Sequence, residues 1–526
     1  MTALIVAATL SVVEPLPGER WYGGTTFYGE EQPYVTTPAR DLANASHCNP
    51  CAPFFVSTAG RYVWSDAPFI FAWTNGVLYI TSEAGTVSPV AAGATLRDAY
   101  IAASGRHFPP GGRHPDALFF EKPQFNTWVE SCAVGNGQGF VEGYVAGIVS
   151  NRMPCGVFMI DDGWAPKCRY GDLEFDARLF PDPKRMLAKC HAAGFRTILW
   201  TTPYVNREAC FYGEAAANGW LLKNLATERP YDGMYYWGVP AAGILNLLDE
   251  SIWNALERRY RTFAEAYGFD GYKFDFTDAE CLLRKPDATV PGSPDLAGRA
   301  PAEYTAAWGR FAMRFRFHEM RAGWKFGGLP LVCRLQDKSH TWEDLRKVVP
   351  DVLAAGLLGC PFVCPDMVGG GCGGDGFATG KGLDRKLFLR SCAAQAMMPM
   401  MQFSAAPWRL LDDEGLAICR NMADLHCRLA PYIMELAVRA ARTGEPIVRT
   451  MSYVFPGAGL EECRSQFMLG DRWLVAPVMS PDDAVTVRLP EGRWSDDLGV
   501  VHSGPKTLKL SDVPLSRLPR YRQAGF

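Results

Sequence analysis

Several features that would assign this chain to a common functional class are missing. No run of about 18 apolar residues, the length that crosses a bilayer, occurs in its 526 residues. The formal net charge of −3 and the pI near 6.3 give no electrostatic attraction to nucleic acid or to a membrane surface. The apolar stretch 1–15 has no Lys or Arg before it, which favours an opening β-strand over a signal peptide. We therefore expect a soluble cytoplasmic protein without nucleic-acid or membrane partners.

Regularly spaced cysteines and metal-ligand clusters are also missing. The 16 Cys residues show no framework spacing, and most lie in apolar stretches, so buried thiols in a reducing compartment are expected. A lone CxxC occurs at Cys48 and Cys51, but no second ligand pair at zinc-site spacing accompanies it. A loop with two thiols is the favoured interpretation, and no metal or cofactor is predicted.

What the chain does contain is ample apolar and aromatic material. It is 48% hydrophobic and carries 15 Trp, enough for a large core and about two to four domains. Trp side chains also suit clefts that bind sugar rings. Short strand patterns and turn residues predict an all-β N-terminal domain over 1–118. Similar patterns predict a C-terminal antiparallel β domain over 451–526.

Between these two regions, over 119–450, apolar strands alternate with helical segments. Eight such repetitions predict an α/β fold, a (β/α)8 TIM barrel flanked by an N-terminal β-sandwich-like domain and the C-terminal β domain. The predicted barrel strands are 123–128, 156–162, 196–200, 271–276, 329–334, 359–364, 398–403 and 446–450. A long helix is predicted over 302–322, and the Gly-rich stretch 369–374 is predicted to be a flexible loop at the rim.

Carboxylates follow several of these strands. Asp161 and Asp162 end the second predicted strand, Asp275 the fourth and Asp366 the sixth, and Asp337 lies just past the fifth. The carboxyl ends of barrel strands meet in one pocket, which is where the catalytic residues of this fold lie.

An Asp after a strand often caps the next helix instead, and for Asp162 or Asp278 that role is equally well supported. Four acids in one pocket without a His or Cys cluster favour glycoside hydrolysis, in which one carboxylate attacks and another protonates the leaving oxygen. Metal-dependent chemistry with Mg²⁺ on the same acids is the alternative.

Several ordered motifs resemble family 31 of the glycoside hydrolases, the retaining α-glucosidase, α-xylosidase and α-galactosidase group. The resemblance begins at the sequence GERWYG (18–23) and runs to the C-terminus. The further motifs are FPDP (180–183), LWTTPY (199–204), WEDL (342–345), GCPFVCPD (359–366), APV (476–478) and LPEGRW (489–494).

The resemblance implies a role for each matching position. Asp275 matches the nucleophile and Asp337 the acid/base, which a retaining enzyme places about 5–5.5 Å apart. Asp275 should be ionised, and Asp337 should have a raised pKa. The remaining matches lie in or near the −1 subsite, the position of the sugar whose bond is cleaved. They are Asp161, Asp366, Trp200 and Arg334.

Lys273 lies two residues before Asp275 on a strand and should face the same side, where it would keep Asp275 ionised and donate to a sugar hydroxyl.

The chain departs from the common family pattern in two places. DFTD (275–278) replaces Asp-x-Gly-Glu at the nucleophile, and RLQD (334–337) replaces Trp-x-Gly-Asp at the acid/base. By contrast, KFD (273–275), NTW (126–128) and IDDGW (160–164) resemble the α-galactosidase-like branch. That resemblance adds four substrate-binding candidates, and the tandem acids would bind an axial 4-hydroxyl. The added candidates are Asn126, Trp128, Asp162 and Trp164.

Taken together, the sequence predicts a retaining, exo-acting α-glycoside hydrolase of α-galactosidase-like specificity that needs no cofactor. Its partner would be a small carbohydrate with a terminal α-linked sugar, and a homo-oligomer is left open. An α-glucosidase or α-xylosidase is the alternative within the class, and a non-catalytic sugar-binding barrel is the alternative outside it. The roles of Asp278 and Glu280 are not assigned.

Overall fold

The architecture comprises a central barrel with β-sheets on its N-terminal and C-terminal sides. The structure, a computed structural model, describes residues 8–44, 49–233, 242–276, 282 and 292–525. Within that part of the chain, no helix combines the length and apolarity required to cross a bilayer. None of the cysteines described there forms a disulfide.

Eight parallel strands form the barrel, as the sequence predicts. In chain order they are Gln124–Asn126, Val157–Ile160, Arg196–Thr201, Gly271–Phe274, Phe317–Met320, Cys333–Arg334, Val363–Cys364 and Gln402–Phe403. The first seven strands pair in parallel in chain order, and the eighth pairs with the first. A parallel bridge between Met367 and Gln402 joins the seventh strand's end to the eighth and closes the barrel. All carboxyl ends of the strands therefore lie at one end of the barrel.

Helices surround this sheet, and local capping signals mark their ends. Asp182 accepts a hydrogen bond from the Arg185 N–H, and Pro183 occupies the first helical position. The helices of the barrel region are Leu118–Glu121, Trp128–Val134, Gln138–Ser150, Pro183–Ala192, Cys210–Ala217, Trp253–Tyr267, Pro301–Ala312, Trp342–Leu357, Arg385–Gln395, Pro407–Leu410 and Asp413–Thr443. After the third barrel strand, the chain adds a small sheet of Tyr204–Asn206, Asp232–Gly233 and Ala242–Ile244.

The predicted membership of the barrel is wrong at two strands. The helix predicted over 302–322 ends at Ala312, and Phe317–Met320 follows it as the fifth barrel strand. This strand contains His318 and Glu319, and these two polar residues interrupt the apolar pattern by which a buried strand is predicted from sequence. The segment predicted as the fifth strand therefore contains the sixth, Cys333–Arg334.

The segment predicted as the eighth strand belongs to another sheet. Val448–Arg449 pairs antiparallel with Phe467–Leu469 in the C-terminal sheet. The other strands of this sheet are Trp473–Val475, Val485–Asp496, Val501–Leu510 and Arg520–Gln523, and the short helix Met451–Val454 lies beside it. An apolar strand pattern does not specify the sheet in which the strand will pair.

Two sheets make up the N-terminal region. One contains Thr9–Val13, Val77–Ser82, Ile70–Thr74 and Thr37–Asp41; the other contains Pro50–Ser57, Arg61–Trp64, Val90–Ala91, Trp21–Thr25 and Gly323–Trp324. Buried aromatic side chains, among them Tyr34, Phe55 and Trp73, pack in the core they share. The prediction of β structure alone is wrong here, because the helix Leu96–His107 also lies in this region and starts at a capping box on Thr95.

Candidate active site

Four aspartates lie at the carboxyl end of the barrel. Asp161 follows the second strand, Asp275 the fourth, Asp337 the sixth and Asp366 the seventh. Asp161, Asp275 and Asp366 are buried, whereas the Asp337 side chain remains 27% exposed. The exposed edge of this cluster is therefore at Asp337, where a leaving group could reach solvent.

Asp275 is surrounded by donors. Its Oδ2 accepts from Trp200 Nε1 at 2.9 Å, and its Oδ1 accepts from the Phe276 N–H at 2.8 Å and lies 2.8 Å from Arg321 Nε. Burial raises the pKa of Asp275, but Arg321 and Lys273 outweigh it and hold that pKa well below the usual range. The carboxylate is therefore ionised and fixed in position, as a nucleophile must be.

Lys273 links two of the acids. Its Nζ donates to Asp161 Oδ2 at 2.6 Å and lies 3.7 Å from Asp275 Oδ2. Both Lys273 and Asp275 face the pocket because side-chain direction alternates along a strand. With Lys273 only 2% exposed, its charge acts in a poorly screened environment and stabilises both carboxylates.

Two guanidinium groups hold Asp337. Arg334 Nη1 donates to its Oδ1, and Arg321 Nη1 lies 3.5 Å from its Oδ2. Burial raises the pKa of Asp337, but the two arginines more than reverse this and lower it below the usual value. The expectation of a raised pKa is therefore wrong, because two cations face this carboxyl group.

Asp366 lies behind Arg334 and organises the neighbouring loop. Its Oδ1 lies 3.3 Å from Arg334 Nη1, and its Oδ2 accepts from the backbone N–H groups of Lys338 and Gly371 at 2.8 and 3.0 Å. Burial raises the pKa of Asp366 to about 6, against the opposing effect of Arg334. The backbone φ of Asp366 is 152°, a strained value for a residue other than Gly and a common feature of functional sites.

The tandem acids have separate partners. Asp162 Oδ1 accepts from Tyr170 Oη at 2.7 Å, whereas Asp161 is held by Lys273. Trp164 is buried, and its Nε1 donates to the Trp200 carbonyl at 2.9 Å. It therefore holds in place Trp200, which in turn donates to Asp275.

The two candidates at the end of the first barrel strand and the start of the following helix also differ in exposure. Asn126 is completely buried, and its Oδ1 accepts from the Trp128 N–H at 2.8 Å. Trp128 is partly buried and donates from Nε1 to the Gly371 carbonyl at 3.0 Å. The structure therefore joins Trp128 to the Gly-rich loop, while Asn126 fixes the backbone beneath it.

Sequence analysis missed Arg321, which contacts both Asp275 and Asp337. It directly follows the unrecognised fifth strand, so the prediction of a helix over 302–322 concealed its position at the end of a barrel strand. The sequence offered little signal for this strand, because two consecutive polar residues, His318 and Glu319, interrupt its apolar pattern. The two unassigned acids, Asp278 and Glu280, lie outside the described residues.

The side chains at the carboxyl end of the barrel fit a metal-binding site poorly. No group of three or more His, Cys, Asp or Glu side chains in the described ranges is arranged to hold a metal ion. Lys273, Arg321 and Arg334 already occupy the carboxylates at the barrel end with fixed positive charge. A cation would have to compete with all three side chains, so no step through a metal is derived.

Comparison with known proteins identifies the relatives of this chain. The model of the glycosyl hydrolases family 31 TIM-barrel domain matches residues 124–323 and 330–436, and the family's C-terminal domain model matches residues 444–526. The mouse myogenesis-regulating glycosidase is 31% identical over 421 residues, 78% of this chain and 57% of that protein. The 1,3-alpha-isomaltosidase of Kribbella flavida is 28% identical over 378 residues, 66% of this chain and 50% of that protein.

Solved structures share the fold. The Flavobacterium johnsoniae GH31 dextranase, complexed with glucose, superposes with a TM-score of 0.81 at 18% identity. The superposition covers 99% of this chain and 67% of the dextranase chain. A GH31 alpha-xylosidase from a soil metagenome, complexed with xylose, superposes with a TM-score of 0.80 at 18% identity. That superposition covers 99% of this chain and 80% of the xylosidase chain. The chain spans about half the length of the curated relatives it matches.

Proposed function

The chain belongs to glycosyl hydrolase family 31, and from this membership we propose that it is a retaining, exo-acting α-glycoside hydrolase. The observation that carries the proposal is the constellation of Asp275, Arg321 and Asp337. One guanidinium contacts both carboxylates, so the two acids lie on either side of a space one side chain wide. A retaining mechanism needs its carboxyl groups close enough for direct attack.

In the first step, Asp275 attacks the anomeric carbon and the bond to the leaving oxygen breaks as Asp337 gives that oxygen a proton. In the second step, Asp337 takes a proton from water, whose oxygen displaces Asp275 from the sugar. The lowered pKa of Asp337 corresponds to the base form used in this second step. For the first step, the bound sugar must weaken the contact of Asp337 with Arg321, which at 3.5 Å is already long.

We further propose a galacto-configured substrate with a terminal α-linked sugar. Asp161 and Asp162 supply consecutive carboxylates at the end of one strand, and Lys273 fixes the first of them. Carboxylates are strong acceptors for sugar hydroxyls, and a pair of them suits the axial 4-hydroxyl that distinguishes galactose from glucose. Tyr170 holds Asp162 in place, which makes this pair a rigid acceptor.

A gluco- or xylo-configured substrate is the second candidate. The names of the relatives favour it, since they include a 1,3-alpha-isomaltosidase and an alpha-xylosidase. The resemblance to these two proteins is 28% and 24% identity, and neither alignment covers more than half of the relative.

The decisive experiment is hydrolysis of p-nitrophenyl α-glycosides by the purified protein. The panel includes the galactoside, glucoside, xyloside and N-acetylgalactosaminide. Asp275→Ala should abolish turnover because it removes the carboxylate on which the covalent intermediate is proposed to form, while its circular dichroism spectrum stays native. Glu343→Gln, which alters an exposed acid outside the pocket, is the matched control and should retain full activity.

Turnover of the galactoside above the others would support the galacto preference, and turnover of the glucoside or xyloside would support the second candidate. Activity that persists in Asp275→Ala would contradict the nucleophile. A folded protein that binds a sugar but hydrolyses no member of the panel would favour the non-catalytic barrel.

A further inference from the structure

A carboxyl group that the mechanism above does not use lies inside the barrel beneath the four aspartates. Glu319 is on the fifth strand, Phe317–Met320, and none of its surface is exposed. Its register partner on the fourth strand is Lys273, which contacts Asp161 and Asp275. Glu319 therefore lies directly beside Lys273 on the neighbouring strand, and Lys273 is the side chain that contacts the proposed nucleophile Asp275.

Glu319 has one hydrogen bond and one incomplete ion pair. Its Oε2 accepts from Gln402 Nε2 at 3.0 Å. Its Oε1 lies 3.9 Å from Arg334 Nε, and in the described part of the chain neither of these two atoms has a hydrogen-bond partner. A buried polar atom without a partner is costly, so this gap between Glu319 and Arg334 is an unusual arrangement.

Arg334 extends from Glu319 to the active site. While its Nε faces Glu319, its Nη1 contacts both Asp337 and Asp366. One guanidinium charge is thereby shared among three carboxyl groups. Any change in the charge of Glu319 alters the share available to the other two, because charges in a buried site are weakly screened.

The surroundings of Glu319 favour the protonated carboxyl group up to near-neutral pH. Burial raises the pKa of Glu319 to about 7, while Arg334 and Lys273 act in the opposite direction. The other titratable groups that face it are Asp161 and the thiols of Cys333 and Cys364. The site thus contains a carboxyl group that changes charge in the working pH range of many enzymes.

We propose that Glu319 is a positioning residue that sets how strongly Arg334 holds Asp337 and thereby controls the proton that Asp337 gives to the leaving oxygen. The proposal rests on the proposed function. When Glu319 is ionised, it draws on the charge of Arg334, and Asp337 binds a proton more readily. When Glu319 is neutral, Arg334 interacts more fully with Asp337 and keeps it ionised.

Glu319→Gln tests this proposal because it keeps the shape and the contact with Gln402 but is always neutral. Asp337 should then lose its proton at lower pH, so the alkaline limb of the kcat profile should move down by about 0.5 to 1 pH unit, a three- to tenfold change in protonated fraction. The loss should fall on substrates with poor leaving groups, which need protonation. KM should stay near the wild-type value, since the contacts to the sugar remain.

The measurement compares a p-nitrophenyl and an alkyl α-glycoside of the same sugar across pH. Glu319→Asp, which keeps the charge, should recover part of the wild-type ratio between the two substrates. His318→Gln is the matched control, because His318 lies on the same strand but bonds only to the backbone carbonyls of Phe315 and Pro330 in the described structure. Equal loss on both substrates, with an unmoved alkaline limb, would overturn the positioning role.

Thermal unfolding gives a readout that does not depend on activity. A carboxyl whose folded pKa is raised from 4.5 to about 7 loses its proton first in the unfolded chain, so it reduces stability progressively between those two pH values. Glu319→Gln should therefore gain Tm relative to the wild type as the pH rises from 5 to 7. A Tm difference that is independent of pH would contradict the charge change.

The outcomes separate this proposal from the proposed function. If the wild type hydrolyses no glycoside, both fall. A second outcome overturns the proposal for Glu319 alone. In it, the wild type is active and Asp275→Ala is inactive, but Glu319→Gln keeps the wild-type pH profile and the wild-type ratio of activities on the two substrates.

Discussion

At the scale of single residues, the active-site chemistry depends on which cation faces which carboxylate. Asp275 and Asp337 are both aspartates after barrel strands, yet Asp275 is buried among Lys273, Arg321 and Trp200, whereas Asp337 is partly exposed. The residue type alone gives the same prediction for both. Their different environments agree with the roles proposed for them, attack on carbon by Asp275 and proton transfer at the solvent edge by Asp337.

Replacing Asp337 should affect substrates in proportion to their need for a proton. With Asp337→Ala, kcat/KM for an alkyl α-glycoside should fall by about 100- to 10,000-fold, the usual contribution of a general acid, while an activated p-nitrophenyl glycoside should lose far less. Kinetics on the two substrates check this prediction. A similar loss on both would count against a role in protonation.

At the scale of elements, loop and strand ends fix the site. The Gly-rich loop was predicted to be a flexible rim, yet Gly371 donates to Asp366, and its carbonyl accepts from Trp128. A Cβ at Gly371 would lie 2.5 Å from Asp366 Oδ1 and 2.9 Å from Asp337 Oδ1, closer than side-chain atoms can approach. Glycine is required here by the approach of two carboxylates rather than by its backbone angles.

Gly371→Ala should therefore lower kcat substantially, by about tenfold or more, because small misplacements of catalytic groups are costly. The fold should remain native by circular dichroism. Gly374→Ala is the matched control in the same loop, since the nearest atom to its added Cβ is Cys372 Sγ at 4.0 Å. Equal activity of the two variants would show that the loop adapts to the extra methyl group.

At the scale of the whole molecule, the N-terminal sheet supports the barrel's active end. The chain leaves the fifth barrel strand at Arg321 and enters the strand Gly323–Trp324, which pairs in parallel with Pro50–Ser57. Trp324 is completely buried, and its Nε1 donates to Glu303 Oε1 at 2.8 Å. The position of Arg321 between the two catalytic candidates is thus anchored from the N-terminal region.

Trp324→Ala should destabilise the protein by about 3 to 5 kcal/mol, the usual range for removing a large buried aromatic side chain. At temperatures where the variant remains folded, kcat should also fall, because Arg321 loses its anchor three residues away. Denaturant unfolding and kinetics measure the two effects. Leu10→Ala, at a side chain with 62% exposure, is the control and should stay within about 0.5 kcal/mol of the wild type.

Seven of the eight barrel strands overlap segments predicted from sequence, because these segments combine apolar runs with nearby Gly, Pro or Asp residues. Phe317–Met320 could not be predicted, since its inward-facing Glu319 breaks the apolar run. Val448–Arg449 has a good strand pattern, but only its pairing with Phe467–Leu469 assigns it to the C-terminal sheet. Local pattern specifies that a segment is a strand, and long-range contacts specify its neighbours.

By itself, the sequence determined the barrel class and the strand-end acids Asp161, Asp275 and Asp366, because periodicity and residue type are local properties. Only the tertiary structure placed Arg321 between Asp275 and Asp337, and Glu319 beneath Arg334. The direction of each pKa shift was decided there too, since it depends on burial and on charges from distant parts of the chain. Protonation of Asp337 is the clearest case, because Arg334, three residues away, and Arg321, from another strand, reverse the effect of burial.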